Sequence, residues 1–395
     1  MIKVLTVVGA RPQIIKAAAV SRTFRKNHST EVQEIIVHTG QHYDFNMSEV
    51  FFSELGIPKP DYNLNVGSRI QGVQTAAMIS GIEEILLKEK PSCIILYGDT
   101  NSTLAGAIAA SKLHVPVVHI EAGLRSFNKK MPEEINRIVC DHVSTLLFTP
   151  TKTGLENLIR EGFKTDNKKP YSADNPKIYH CGDVMYDNSL FYSEIAEEKT
   201  EILGKLQLEK EKFILTTIHR DTNTDNPERL TSLFEALAEI AESKSLDVVV
   251  PLHPRTSKLL QSYLPEKLFK KVTEGENIKI ILPVSFLEMI ALEKNSKLIM
   301  TDSGGVQKEA FFFKKPVIIL REETEWVEIV KNKTGILSGV AKNKILEAVD
   351  HFINENKLSF PDYYGDGKAS EFICSEIVNL ITEISLSKEN FIHKN

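Results

Sequence analysis

The sequence predicts two α/β domains in tandem, each with a doubly wound parallel sheet. The chain of 395 residues is longer than one compact core of about 150–200 residues, so about two domains are expected. Short apolar runs alternate with stretches of helical periodicity, which is the pattern of a parallel sheet covered by helices on both faces. The alternation begins again after the polar, turn-rich segment 166–176, where we place the boundary.

The first half, residues 1–172, is predicted to form a Rossmann-like domain. Its strands are short runs rich in apolar and β-branched residues. They are Val4–Val8, Glu34–His38, Ile94–Tyr97, Val115–Ile120 and Leu146–Thr149. The intervening segments with helical periodicity are Ile14–Lys26, Gln71–Glu89 and Leu104–Leu113.

The second half, residues 173–361, repeats this pattern and is predicted to form a second Rossmann-like domain. Its strands are Ile178–Cys181, Phe213–Thr217, Asp247–Leu252, Ile278–Leu282, Leu298–Thr301 and Val317–Leu320. Its helices include Pro227–Ser243, Phe286–Asn295 and Val306–Phe312. Ligands of such sheets bind beyond the carboxyl ends of the strands, so a cleft between the two domains is the expected place for a substrate.

Composition and charge exclude several classes of protein. Hydrophobic residues make up 42% of the chain and charged residues 26%, which is typical of an ordered globular protein. The net charge of −5 argues against a nucleic-acid-binding protein, which needs a basic face. No apolar run approaches the ~20 residues that span a bilayer, and the N-terminus lacks the pattern of a signal peptide. The four cysteines show no zinc-type spacing, so we expect free thiols and a cytoplasmic protein.

Two strand-to-helix turns have the residues of a phosphate site. Ser303, Gly304 and Gly305 follow an apolar run and open a helix, whose free N–H groups suit a diphosphate. The alternative is an ordinary turn in which Ser303 only caps the helix. Arg11 and Lys16 lie at the start of another helix, where the dipole disfavours cations unless an anion is bound. Neither turn matches GxGxxG or GxxxxGK[ST], so neither a nicotinamide site nor an ATPase is predicted.

Acidic side chains follow neighbouring strands of the first half. Asp99 and Glu121 each come directly after a predicted strand, and Glu133 opens a helix soon afterwards. Carboxyl groups held close together acquire separated pKa values, which provides one acid and one base. In the second half, His219 follows a strand and is placed to contact a phosphate or transfer a proton. His253, at another strand end, is more simply a structural residue.

Taken in order, these motifs resemble the non-hydrolysing UDP-N-acetylglucosamine 2-epimerase family over nearly the whole chain. The matching segments are Gly9–Lys16, Gly40–His42, Gly98–Thr100, His119–Arg125, Pro132–Arg137, His219-Arg220, Asp302–Glu309 and Arg321 with Glu323–Glu325. The resemblance implies the two-domain GT-B fold, with a C-terminal helix in 362–395 that packs back on the first domain. It also implies a homodimer that supplies UDP-ManNAc-type sugars for surface polysaccharide, such as capsule or lipopolysaccharide O-antigen.

The resemblance implies a reaction and the residues that carry it. UDP is eliminated to leave a 2-acetamidoglycal and is then added back while C2 receives a proton on the opposite face. No nicotinamide, other cofactor or metal is needed. The implied catalytic residues are Asp99, Glu121, Glu133 and His219, and which carboxylate is the base and which the acid stays open. The implied UDP-sugar contacts are Arg11, Lys16, Arg137, His219, Phe286, Ser303, Gly304, Gly305, Glu309 and Arg321.

Some positions depart from the usual family pattern. Ala10 and Gln13 replace the Thr and Glu of the first turn, and Trp326-Val327 stands where Arg-Pro is usual. The Trp326-Val327 pair, together with Asn101–Thr103 and Ser126–Asn128, is closer to relatives that act on UDP-2,3-diacetamido-2,3-dideoxyglucuronate or on 6-deoxy UDP-hexosamines. The exact sugar is therefore open. The resemblance also suggests a second nucleotide-sugar site at Gln41, His42 and Arg69.

Three other functions remain as alternatives. A GT-B glycosyltransferase would share the fold but has no use for three acids around C2 of a sugar. The hydrolysing relatives release UDP but usually carry an additional kinase domain, for which 395 residues leave no room. A nucleotide-sugar sensor without catalytic activity would need only the binding residues.

Overall fold

The computed structural model describes residues 1–40, 56–244, 246–355 and 357–392, without the side chains of 384–392. These residues divide into two compact units. The first unit comprises residues 1–188 together with the C-terminal segment from residue 362, and the second comprises residues 189–361. No helix in this part of the chain is long and apolar enough to cross a membrane.

The first unit is built on a parallel sheet that has seven strands among the described residues. The strands are β1 (Ile2–Val8), β2 (Val32–His38), β3 (Tyr62–Asn63), β4 (Cys93–Tyr97), β5 (Val117–Ile120), β6 (Leu146–Thr149) and β7 (Lys177–His180). Their order in the sheet is β3-β2-β1-β4-β5-β6-β7. The direction of winding reverses between β1 and β4, and such a switch point is the usual ligand site of an open α/β sheet.

Helices cover both faces of this sheet, as the continuous apolar strands require. They are α1 (Arg11–Asn27), α2 (Gln71–Glu89), α3 (Asn101–Lys112), α4 (Pro132–His142), α5 (Lys152–Arg160) and the start of α6 (Val184–Lys199). The predicted strands and helices of the first half are confirmed to within a few residues at their ends. Helix α5 and the two-residue strand β3 have no counterpart in the prediction, and for β3 the reason is that two residues are too few to show a period.

One predicted strand belongs to a different sheet from the one expected. The sequence pattern assigned Ile178–Cys181 to the second half, but β7 pairs in parallel with β6 of the first unit. The turn-rich segment 166–176 is therefore a connection inside the first unit, and the chain enters the second unit within α6. Turn residues mark a loop but do not indicate whether the loop joins two strands or two domains.

The second unit repeats the architecture around a parallel sheet of order β10-β9-β8-β11-β12-β13 among the described residues. Its strands are β8 (Phe213–Thr217), β9 (Asp247–Pro251), β10 (Ile278–Ile281), β11 (Leu298–Thr301), β12 (Val317–Ile319) and β13 (Gly335–Leu337). Its further helices are α7 (Ile202–Lys205), α8 (Asp221–Thr224), α9 (Pro227–Ser243), α10 (Pro254–Tyr263), α11 (Glu266–Glu274), α12 (Phe286–Asn295), α13 (Gly304–Phe312), α14 (Val327–Lys331) and α15 (Lys342–Asn354). The winding reverses between β8 and β11, so the ends of these strands form the second switch point.

Helix α9 shows how the sequence specifies these elements. Asn226 caps its N-terminus by accepting a hydrogen bond from Arg229 N at 3.0 Å, and Pro227 occupies the first helical position. Its apolar side chains recur every three or four residues and are fully buried in the core. They include Leu230, Leu233, Phe234 and Leu237.

The C-terminal helix α16 (Ala369–Ile392) packs against α1 in the first unit. Its N-terminus is capped by Asp187, which accepts from the backbone N–H groups of Ala369 and Ser370 at 3.1 and 2.7 Å. Thr23 of α1 donates to the Ser370 hydroxyl at 3.0 Å. The buried cap fixes the start of α16, which lies far along the chain from the rest of the first unit.

Candidate active site

Asp99 and Glu121 follow two adjacent strands at the carboxyl edge of the first sheet. Tyr97, the last residue of β4, is in register with Ile120, the last residue of β5. Gly98 N donates to Ile120 O at 3.0 Å, which keeps the two strand ends together. The two acids therefore leave the sheet from adjacent strands, as the sequence pattern predicted.

Asp99 is paired with Arg137, a buried residue of α4. Arg137 Nη2 contacts Asp99 Oδ2, while Arg137 Nη1 donates to Glu134 Oε2 at 3.0 Å. Asn136, from the same helix, donates to Asp99 O at 2.9 Å. Arg137 is one of the substrate contacts that the family resemblance implies, and in the structure it holds a candidate catalytic carboxylate. A cation-to-carboxylate pairing between two separate elements leaves no local pattern in a sequence.

Glu121 is paired in the same way with Lys16 of α1. Lys16 Nζ lies 2.9 Å from Glu121 Oε2, and both side chains are about nine-tenths buried. Glu121 also has a φ of +72°, in the left-handed region that non-glycine residues adopt at a cost of about 1–2 kcal/mol. Gly98 lies against this pair, since a Cβ added there would come within 3.4 Å of Lys16 Nζ. A strained, ion-paired carboxylate at a strand end is typical of a functional residue.

Asp99, Glu133 and Arg11 line one cavity of about 300 Å³ in the first unit. Glu133 is exposed in the first turn of α4, where the helix dipole favours a negative charge. Arg11 is exposed at the start of α1. The other residues that line the cavity are Ala10, Pro12, Gln71, Thr100, Asn101, Pro132 and Asn136. The cavity thus brings two of the three predicted acids and a predicted cation together.

A group of amide side chains beside this cavity was not predicted as a site. Asn101 Nδ2 donates to Gln71 Oε1 at 2.6 Å and to Gln74 Oε1 at 2.8 Å. Asn136 Nδ2 lies 3.2 Å from Asn101 Oδ1. The signal for them in the sequence is that Asn101–Thr103 is similar to the corresponding segment of relatives that act on modified sugars. These amides give the cavity a wall of neutral hydrogen-bonding groups, which suits hydroxyl and acetamido substituents.

Gln13, which replaces the usual Glu of the family's first turn, connects that turn to the end of β4 by hydrogen bonds. Its Oε1 accepts from Gly9 N at 2.9 Å and from Ala10 N at 3.2 Å. Its Nε2 donates to Tyr97 O at 2.9 Å and to Thr103 Oγ1 at 3.0 Å. A glutamate here would present a carboxylate oxygen to the Tyr97 carbonyl, so the amide suits this arrangement better than the acid.

In the second unit, Asp302 fixes the turn that carries His219. Its fully buried carboxylate accepts from His219 N at 3.0 Å, from Arg220 N at 3.1 Å and from Asn223 Nδ2 at 3.0 Å. Strands β8 and β11 pair so that Thr217 lies opposite Thr301. Asp302 therefore holds His219 next to the start of α13.

The start of α13 has the geometry expected of a phosphate-binding turn. Ser303 is the N-cap, and Gly304 and Gly305 are the first helical residues, whose N–H groups have no acceptor inside a helix. A Cβ added at Gly304 would lie 3.6 Å from Trp326 Nε1 and 3.7 Å from Glu325 Oε2. The glycine leaves room for a ligand beside these two side chains.

Arg321 and Glu325 form a buried bidentate pair after β12. The two Arg321 nitrogens lie 3.0 and 3.1 Å from the two Glu325 oxygens. Burial alone would raise the pKa of Glu325, but the Arg321 guanidinium holds it below its usual value. Arg321 was predicted as a substrate contact, and the structure pairs its charge with an acid of the same chain.

Glu309 and Phe286, which the resemblance implies as UDP-sugar contacts, are both buried in the second unit. Glu309 is buried on α13, near the Glu293 carboxyl of α12. Burial and the Glu309 carboxyl together raise the pKa of Glu293 well above its usual value.

The Phe286 ring is buried and packs edge-on against the Tyr192 ring, with 5.2 Å between centroids. Phe286 is thus part of the core at the start of α12.

The structure describes only part of the predicted second nucleotide-sugar site. Gln41 and His42 lie outside the described residues. Arg69 is exposed just before α2. Among the residues that the structure does describe, no group of three or more His, Cys, Asp and Glu side chains is arranged to hold a metal ion.

Replacing Gly123 with alanine is expected to lower the free energy of unfolding by about 2–4 kcal/mol. Gly123 lies two residues after Glu121 and has a φ of +79°, and an added Cβ would lie 2.4 Å from the carbonyl oxygen of Gly154. Gly72→Ala is the matched control, because nothing lies within 4 Å of a Cβ there. Equilibrium denaturant unfolding followed by circular dichroism measures both variants. Equal stability of the two would contradict the packing described for Gly123.

Comparison with known proteins identifies the family of this chain. The sequence model of the family described as UDP-N-acetylglucosamine 2-epimerase matches residues 25–378. A UDP-N-acetylglucosamine 2-epimerase homolog from Methanococcus maripaludis is 49% identical over 379 residues, which are 96% of this chain and 100% of that protein. The UDP-2,3-diacetamido-2,3-dideoxy-D-glucuronate 2-epimerase of Pseudomonas aeruginosa is 48% identical over 378 residues, with the same coverage.

Solved structures give the same result. The Methanocaldococcus jannaschii UDP-GlcNAc 2-epimerase, crystallised with UDP-GlcNAc and UDP, superimposes with a TM-score of 0.82 at 42% identity. The match covers 96% of this chain and 100% of that one. The predicted α/β class and GT-B fold are thereby confirmed. The chain belongs to the UDP-N-acetylglucosamine 2-epimerase family and is an isomerase of nucleotide sugars.

Proposed function

We propose that this enzyme inverts C2 of UDP-N-acetylglucosamine without hydrolysing it, using Asp99, Glu121 and Glu133 at the sugar. The observation that supports this most strongly is the placement of Asp99 and Glu121 on adjacent strand ends, each paired with a buried cation. Glu133 lines the same cavity as Asp99. A reaction that removes a proton from one face of C2 and returns one to the other needs two such groups.

The proposed reaction proceeds by elimination and re-addition. A carboxylate takes the C2 proton, the electron pair forms the C1–C2 double bond, and the C1–O bond breaks with its electrons on UDP. The 2-acetamidoglycal then accepts a proton at C2 on the opposite face, and the UDP oxygen attacks C1. Atoms and charges balance without an external oxidant or reductant. The hydrogen on C2 of the sugar is not acidic, so departure of UDP has to assist its removal.

The second unit provides the groups that suit the departing diphosphate. Ser303, Gly304 and Gly305 form a helix N-terminus, where an anion is stabilised by open N–H groups and the helix dipole. His219 is held beside this turn by Asp302 and would donate a hydrogen bond to a phosphate oxygen. The buried Glu309 would accept hydrogen bonds from the ribose hydroxyls.

A second candidate substrate is UDP-2,3-diacetamido-2,3-dideoxyglucuronate. Its support is the 48% identical relative named for that sugar, together with the cavity itself. Arg11 would bind the uronate carboxylate, and the amide wall around Asn101 would bind the second acetamido group. The reaction at C2 is the same for both sugars.

The proposal includes the setting of the enzyme. The four cysteines are all free, which fits the reducing cytoplasm where we place the reaction. We also propose that the enzyme is a homodimer. Its product would be a UDP-ManNAc-type sugar used to build surface polysaccharide. Light scattering after gel filtration tests the dimer independently of the chemistry.

The test is to incubate the enzyme with each UDP-sugar separately and to follow the mixture by proton and phosphorus NMR. We expect a second UDP-sugar with the manno configuration at C2 to appear, with the diphosphate bond to the sugar intact. Only the true substrate should give rapid turnover. Stoichiometric release of UDP with free sugar would instead indicate hydrolysis, and loss of sugar only with an acceptor would indicate a glycosyltransferase. Either result would overturn the proposal.

A further inference from the structure

His119 lies between two hydrogen-bond acceptors in the core beneath the candidate active site. It is the third residue of β5 and is completely buried. Its Nδ1 is 2.7 Å from Asp141 Oδ1, and its Nε2 is 2.7 Å from Gly98 O. Both distances are those of short, well-formed hydrogen bonds.

The number of protons at this site follows from these contacts. A neutral imidazole has one N–H and cannot donate to two acceptors. A carbonyl oxygen never donates, so a neutral ring would require a protonated Asp141. The Asp141 carboxylate, however, also accepts from Gly123 N at 3.1 Å and lies 2.8 Å from Arg125 Nη1. Asp141 is therefore an ionised acceptor, and both nitrogens of His119 carry protons.

We propose that His119 is a permanent imidazolium that acts as a positioning residue, holding Gly98 and placing a positive charge behind Asp99 and Glu121. This inference rests on the proposed function for what the two acids do. The protonation of His119 itself does not depend on it.

Gly98 is the residue through which His119 would act. It has a φ of +60°, and its N–H donates to Ile120 O at 3.0 Å while its carbonyl accepts from His119. The next residue is Asp99, and the Lys16–Glu121 pair lies against the Gly98 Cα. A small shift of this peptide would move both acids relative to the sugar, and misplacement by about 1 Å can cost a hundredfold in rate.

The charged groups around His119 support the same protonation state. Burial alone would lower the pKa of His119, but Cys140 and Asp141 on α4 raise it well above its usual value. Burial alone would raise the pKa of Asp141, but His119 and Arg125 lower it. Arg125 is further paired with Glu161 at 2.6 Å. The ring thus belongs to a chain of alternating charges in which Asp141 and Arg125 are buried and the outer member, Glu161, is exposed.

The direct test is nitrogen NMR of the wild-type enzyme labelled with ¹⁵N-histidine. We expect the His119 ring to keep two N–H protons from mildly acidic to alkaline pH, well beyond the ordinary histidine pKa of about 6.5. Nuclear Overhauser contacts with Gly98 assign the ring, so the measurement needs no variant. Loss of one ring proton near pH ~6.5 would overturn the proposal whether or not the enzyme is an epimerase.

Kinetics of variants test the positioning role. His119→Gln keeps a donor for Gly98 O but removes the charge, and we expect kcat to fall about tenfold or more with little change in KM. Loss of a cation raises the proton affinity of nearby carboxylates, so the acid limb of the kcat–pH profile should move upward by up to about one unit. In the double variant His119→Gln/Asp141→Asn the local charge is neutral again, and the limb should move back.

The exposed His351→Gln variant is the control for the loss of a histidine. If His119 had a purely structural role, its replacement would lower kcat without moving the pH profile. The double variant would then lower kcat further. An unmoved profile in folded His119→Gln would therefore refute the positioning role. A wild-type enzyme without epimerase activity would count against the proposed function alone.

Discussion

Asp99→Asn is expected to lower kcat by about 10²–10⁴-fold while leaving the dissociation constant for UDP nearly unchanged. The amide keeps the size of the side chain but loses the charge that pairs with Arg137 and the ability to exchange a proton with C2. Arg137 retains its hydrogen bond to Glu134, so the fold around α4 should persist. The groups proposed for the diphosphate and the ribose, which are His219, Ser303–Gly305 and Glu309, lie in the second unit, so binding of UDP should survive.

Turnover measured by NMR and UDP affinity measured by calorimetry check this prediction together. Glu156→Gln is the matched control, since Glu156 is an exposed carboxylate on α5 of the same unit. It should change neither quantity. Unaltered turnover in Asp99→Asn would remove Asp99 from the catalytic residues, and a parallel loss of UDP binding would show that its role is structural.

Asp302→Asn is expected to lower the free energy of unfolding by about 2–4 kcal/mol and to weaken UDP binding about tenfold or more. Three N–H donors, those of His219, Arg220 and Asn223, converge on the buried Asp302 carboxylate. An asparagine would point its own N–H₂ group at one of these donors. Both His219 and the start of α13 would then lose their fixed positions.

The control for this variant is Asp225→Asn. Asp225 pairs with Arg255 at 2.7 Å in an exposed position, where solvent screens the two charges and the pair adds little to stability. Denaturant unfolding and calorimetry with UDP measure both variants. If Asp302→Asn were as stable as Asp225→Asn and bound UDP equally well, the role given to the buried carboxylate would be wrong.

The sheets and the positions of Asp99, Glu121 and His219 could be predicted because local pattern determines them. Continuous apolar runs mark buried parallel strands, and the first polar residue after such a run lies at the sheet edge. The assignment of β7 could not be predicted, because pairing with β6 depends on contacts between distant segments. Strand β3 could not be predicted for another reason, because two residues are too few to show a period.

The interior of the site was less predictable than its outline. Lys16 and Arg137 were identified as cations for the substrate, yet each pairs with an acid that lies on another element. Gln13 was noticed only as a departure from a pattern, and its four hydrogen bonds depend on the packing of β1, α1 and β4. Sequence spacing reports which residues share an edge, whereas pairing depends on side-chain length and direction in three dimensions.

In the proposed reaction, one group removes the proton from C2 and a second group, which exchanges its proton with solvent, returns one to the opposite face. Turnover in deuterated water, followed by proton NMR and mass spectrometry, measures this exchange. We expect one deuterium at C2 of every product molecule, and deuterium in recovered substrate as the reaction reverses. An epimerised product that keeps its original hydrogen at C2 would contradict the proposed reaction.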